Sequence, residues 1–76
     1  MKKAAFLNLL DELIEVKPGT IKGDEVLANI EEWDSLAVVG FIAIVDQNFG
    51  VTLSATNLKG CRTIPDLIAL LPTPLE

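Results

Sequence analysis

The chain reads as an all-α protein: a small antiparallel bundle of three main helices plus one short helix, with a long loop between helices 1 and 2. Three observations predict it. Apolar residues recur at helical spacing near the start, in the middle and near the end of the chain. Residues that start and stop helices bracket those runs. With 76 residues there is room for one domain, spanning 1–76, and a chain of that size buries roughly 60% of its unfolded surface.

The first helix is expected over 3–16. Phe6, Leu9, Leu10, Leu13 and Ile14 form one apolar stripe, and Asn8, Asp11, Glu12 and Glu15 fall mainly on the other side. Lys17-Pro18-Gly19 should end it, because proline disfavours a helical residue before it and glycine frees the turn. Residues 17–34 show no period, so they read as a loop, with Leu27 and Ile30 as its anchors.

The second helix is expected over 35–49. Asp34 is a good N-cap at the positive end of the helix dipole. Gly50 suits the position just past the end. Leu36, Val39, Ile42, Val45 or Asp46, and Phe49 trace one stripe. The stretch from Leu36 to Val45 has no polar side chain, which implies burial on several sides or cover by a partner. Its β-branched residues make a strand the competing reading, and the length and the two end signals favour helix.

A short helical turn follows over 54–58 and a last helix over 63–71. Thr63 is the N-cap there, Pro65 lies in the first turn, and Asp66 stands where a capping box puts its acid. Ile64, Leu67, Ile68 and Leu71 face the core, and Pro72 and Pro74 stop the helix. Phe6, Leu10, Leu13, Ile42, Val45, Phe49, Leu67 and Ile68 are expected to share one core.

Composition removes several function classes. Eleven acidic residues against six basic ones give a formal charge of −5, which suits partners with basic patches and not nucleic acid. No histidine and a single cysteine, Cys61, leave neither an internal disulfide nor a plausible metal site. That cysteine reads as a packed thiol, having no histidine to activate it. Glu31, Glu32 and Asp34 sit too close together for a glycosidase-type pair and read as a solvated, partner-steering patch. No charge-free stretch reaches the ~18–20 residues of a membrane span. The first helix is too polar for a signal peptide, so a cytoplasmic location is the default.

Ser35, in Glu32-Trp33-Asp34-Ser35-Leu36, is the residue that carries chemistry. A serine at a helix start is reachable, and a phosphate placed on it would lie beside free backbone N–H groups and the positive end of the dipole. Serine also caps helices in that position, but Asp34 is able to cap alone.

Asp34-Ser35-Leu36 at a helix start, in a chain of this length and charge, with Phe49 ending that helix and Thr63-Ile64-Pro65-Asp66-Leu67 opening the last, resembles the acyl carrier protein family. The resemblance implies an acyl-carrier-protein-like bundle and no catalysis by the chain itself. It implies a 4′-phosphopantetheine arm, drawn from coenzyme A, attached covalently to Ser35 by a phosphopantetheinyl transferase. The arm would carry acyl groups as thioesters to acyl-loading and acyl-using enzymes, such as an acyl-carrier ligase, a ketosynthase or an acyltransferase, in fatty-acid, polyketide or other acyl metabolism. A monomer is expected.

By the same resemblance, Asp34 contacts the transferase. Leu36 reads as partner-facing, as semi-buried next to the arm, or as an ordinary core leucine. Trp33 reads as a loop anchor or as a partner contact. Fatty-acid-synthesis carriers tend to place several acids on the exposed face of the second helix. Here the matching positions include Ala37, Gly40, Ala43, Asp46 and Gln47. That departure implies a specialised carrier, its partner surface formed by Trp33, Asp34, Leu36, Ala37, Gly40 and Asp46. Gly40, in mid-helix, reads either as room for a close approach by another backbone or an acyl chain, or as a neutral, tolerated glycine. Two alternatives stay open: an aminoacyl or D-alanyl carrier, and a small helical interaction module without a prosthetic group. Peptidyl carriers usually show a Gly-Gly-His-Ser-type site, which Glu32-Trp33-Asp34 does not match.

Overall fold

Four α-helices and one 3₁₀ turn make up the computed structural model, which describes residues 1–76. They are α1 (Lys3–Leu13), the 3₁₀ turn Leu27–Asn29, α2 (Ser35–Phe49), α3 (Ala55–Lys59) and α4 (Ile64–Ile68). There are no strands, only an isolated antiparallel bridge between Val26 and Thr63. The all-α expectation holds, but α4 is as short as α3.

α1 stops earlier than expected, before Lys17-Pro18 is reached. Glu15 adopts a left-handed conformation, φ 60°. Its N–H donates to the Glu12 carbonyl (3.2 Å), and the Val16 N–H donates to the Asp11 carbonyl (3.0 Å). These two bonds make the Schellman closure that glycine usually supplies. The signal was hidden because a glutamate occupies the position.

Asp11 corrects the sequence reading of α1. It is fully buried, not on the solvent face. Its Oδ2 accepts from the Gly19 N–H and its Oδ1 from the Ile21 N–H, both at 2.9 Å. One carboxylate thereby folds the chain back over the end of α1, and Ile21 enters the core. Glu25 acts similarly, accepting from the N–H groups of Lys22 (2.6 Å) and Gly23 (2.9 Å). Burial pushes its carboxyl up, and the backbone hydrogen bonds outweigh that and hold it below its ordinary value.

Asp11→Ala leaves two backbone donors without their acceptor, each worth about 1–3 kcal/mol where buried. We expect a lower urea midpoint and faster hydrogen exchange at the Gly19 and Ile21 amides. Asp11→Asn, which keeps one acceptor oxygen, should lose less. Unchanged exchange at both amides would show that the loop is held by something else.

The loop is also stitched to the far end of the chain. The Leu27 N–H donates to the Arg62 carbonyl (2.8 Å) and the Ile64 N–H to the Glu25 carbonyl (3.0 Å). Leu27 is buried, as expected, and Ile30 is half-buried. α4 opens on the expected capping box: Thr63 Oγ1 accepts from the Asp66 N–H (3.3 Å), and Asp66 Oδ2 accepts from the N–H groups of Arg62 (2.9 Å) and Thr63 (3.2 Å). The Arg62 N–H does most to hold the Asp66 carboxyl below its ordinary value. Beyond Ile68 the chain tightens, with the Leu70 N–H donating to Leu67 and the Leu71 N–H to Ile68, so the helix expected to 71 ends as a 3₁₀-like turn. α3 begins one residue later than expected because Ser54 is its cap: its N–H donates to Asn57 Oδ1 (2.8 Å).

α2 has the expected bounds, with Gly50 left-handed at φ 69°. Its buried face is rotated by one residue from the expected stripe. Ala37, Phe41 and Val45 are buried, while Leu36 is 79% and Val39 65% exposed. Periodicity cannot orient a helix that is apolar all round. The core cluster gathers 12 buried residues from every helix and the long loop. Of the expected core, Phe6, Leu10, Val45 and Leu67 are buried in it, and Leu13, Ile42, Phe49 and Ile68 pack against it half-buried.

Candidate functional site

Ser35 is the first residue of α2 and is exposed. Asp34, extended at φ −127° and ψ −169°, performs the capping. Its Oδ1 accepts from the Ala37 N–H (3.0 Å), and its carbonyl accepts from the Val38 N–H (3.1 Å). The N–H groups of Ser35 and Leu36 belong to the first turn and have no acceptor within the helix. The site therefore presents a free hydroxyl beside two free donors at the positive end of a helix of 15 residues. A phosphodiester on Ser35 fits that setting.

Trp33 holds the loop in place just before the site. It is half-buried and meets the edge of Phe41, with ring centroids 6.2 Å apart and planes at 68°. Phe41 in turn meets Phe6 at 6.0 Å and 84°. The loop-anchor role expected of Trp33 is thus its structural role.

Two hollows flank the site. On the α1 side lies a cleft of about 450 Å³. Leu13, Ile14 and Ala37 form its apolar part, and the exposed acids Glu15, Glu32 and Asp34 its polar part, with Leu36 at its edge. On the α3 side lies a groove of about 330 Å³ lined by Ser35, Val38, Val39, Ala55, Leu58 and Lys59. Neither hollow was legible in the sequence. Lys59 comes to the site from α3 and Glu15 from the turn that closes α1, and no local pattern links them to Ser35.

Two expected surface residues are corrected. Ala37 is 4% exposed, packed inward towards α1, so it is not on a partner surface. Gly40 is half-buried, and a Cβ there would run into Leu13 Cδ1. The close approach at Gly40 is made by the Leu13 side chain of α1, not by another backbone. Asp34, Leu36 and Asp46 are exposed, as is Ala43.

Cys61 is half-buried, with its Sγ 3.7 Å from the Asn57 carbonyl. Burial, and then the charge of Asp66, push its thiol up, away from the reactive thiolate. No group of three or more metal-binding side chains occurs, and no helix is long and apolar enough to cross a membrane.

A family model described as a phosphopantetheine attachment site matches residues 4–71. No curated protein and no solved structure gives a match.

Proposed function

The chain belongs to the phosphopantetheine attachment family, and from that premise we propose that Ser35 is its attachment residue and that its cargo is an acyl group. Domains of this family are carriers, not catalysts, and hold 4′-phosphopantetheine covalently. When bound, the group supplies a long arm ending in a thiol that forms thioesters. The chain's own part is to present one hydroxyl, cap its helix without using that hydroxyl, and offer surfaces to the enzymes that load and unload the arm.

The observation that carries the assignment is the division of labour between Asp34 and Ser35. Ser35 Oγ would form a bond to the phosphorus of coenzyme A that bears pantetheine. The phosphoanhydride bond there breaks, adenosine 3′,5′-bisphosphate leaves, and the hydroxyl proton passes to a base on the transferase. Incubation with coenzyme A, Mg²⁺ and a promiscuous transferase should add one phosphopantetheinyl mass to the intact protein. An unchanged mass would refute the assignment.

The partner surface we infer is the exposed side of α2: Leu36, Val39 and Ala43, with Asp34 and Asp46 as its charges. An apolar face docks by close packing, which salt screens little. Binding to a dedicated partner should change little from low to high salt and should fall sharply in Val39→Asp. Steep salt dependence with an unaffected Val39→Asp would overturn that surface. This face supports a specialised acyl pathway over bulk fatty-acid synthesis. The aminoacyl or D-alanyl alternative concerns cargo alone and is decided by which ligase charges the arm. A helical module without a prosthetic group has no support once the family is known.

A further inference from the structure

The two hollows beside Ser35 are opposite in charge. The α1-side cleft carries Glu15, Glu32 and Asp34, and the α3-side groove carries Lys59 as its one charged residue. A phosphodiester on Ser35 is an anion at every physiological pH. Three carboxylates repel it from one side and one ammonium attracts it to the other. The groove with the ammonium is also the one that Ser35 itself lines. Its remaining wall, Val38, Val39, Ala55 and Leu58, is aliphatic and matches the geminal dimethyl portion of pantetheine.

Resting on the assignment of Ser35, we propose that Lys59 is a positioning residue for the attached group: it pairs with the phosphodiester and biases the arm onto the α3 side of α2. The pair is exposed, so its strength is that of a surface ion pair, about two- to fivefold in the population of one side over the other. Salt should erode it. The bias would matter for function because Leu36 and the acid-rimmed cleft would stay clear for an approaching enzyme.

The test uses the loaded full chain, isotope-labelled, with intact mass recorded first. Nuclear Overhauser contacts between the arm's geminal methyls and the methyls of Val39 and Leu58 are then compared with those to Leu36 and Ile14. In the unsubstituted protein the first set should dominate. Lys59→Glu should weaken it about two- to fivefold, Lys59→Arg should preserve it, and high salt should reproduce the loss. Amide spectra of the unloaded variants check that an exposed substitution has left the fold alone. Contacts chiefly to Leu36 and Ile14, or contacts indifferent to Lys59→Glu, overturn the inference and leave the role of Ser35 standing. A chain that takes up no group at all overturns both.

Discussion

Ser35→Ala is expected to take up no phosphopantetheine and to keep its fold. The loss should be complete, because Ser35 alone puts an exposed, unengaged hydroxyl at the first residue of a helix; Thr56 is exposed too but stands second in the five-residue α3. Ser54 Oγ is engaged with Asn57 Oδ1 (3.0 Å), Thr20 Oγ1 with the Lys17 carbonyl (2.6 Å), and Thr63 Oγ1 with the Asp66 N–H (3.3 Å). The fold should survive because Asp34 keeps the cap, and an exposed substitution of this kind changes stability by less than about 0.5 kcal/mol. Intact mass after transferase treatment reads the first effect, and helical circular dichroism with a urea melt reads the second. Modification that persists in Ser35→Ala and maps to Ser54, Thr56 or Thr63 would end the assignment. Loss of helical signal would mean that the hydroxyl has a structural part after all.

Phe41→Ala should cost about 3–5 kcal/mol, the usual range for a fully buried phenylalanine. Phe41 is completely buried, and its ring meets both Phe6 and Trp33 edge-on. A chain of 76 residues has a total stability of only about 4–11 kcal/mol at 0.05–0.15 kcal/mol per residue, so the variant sits at the edge of unfolding. Phe49→Ala should cost less, because Phe49 is only half-buried, though it too contacts Phe6 (6.1 Å). Phe41→Leu keeps the comparison measurable if the alanine variant does not fold. Trp33 emission should shift to the red along with the loss, since its packing partner is gone. A smaller loss at Phe41 than at Phe49 would show that the face of α2 has been assigned wrongly.

α2 separates what was legible from what was not. Its start at Asp34-Ser35 and its stop at Gly50 are short-range effects: a cap accepting a nearby N–H and a residue free to turn left-handed. They could be read residue by residue. Its orientation could not, because with no polar side chain between Leu36 and Val45 every face looks equally suited to the core. Gly40 settles the matter in three dimensions, since only there can Leu13 of α1 come so close. The end of α1 was hidden for a related reason: Glu15 makes the left-handed turn that its side chain type does not advertise.

By itself the sequence determined the helical class, the place of Ser35 at a helix start, the capping roles of Asp34 and Thr63, and the acidic charge. Each depends on neighbours within about one helical turn or on a simple sum, so no long-range information is needed. Only the tertiary structure decided that Asp11 is buried, that Ala37 and Gly40 face α1, and that Leu36 and Val39 face solvent. It also decided that Lys59 and Glu15 flank Ser35 from opposite sides. Those facts follow from how helices pack and how a long loop folds back, which couples residues far apart in the chain through volume exclusion and the need to satisfy buried backbone donors.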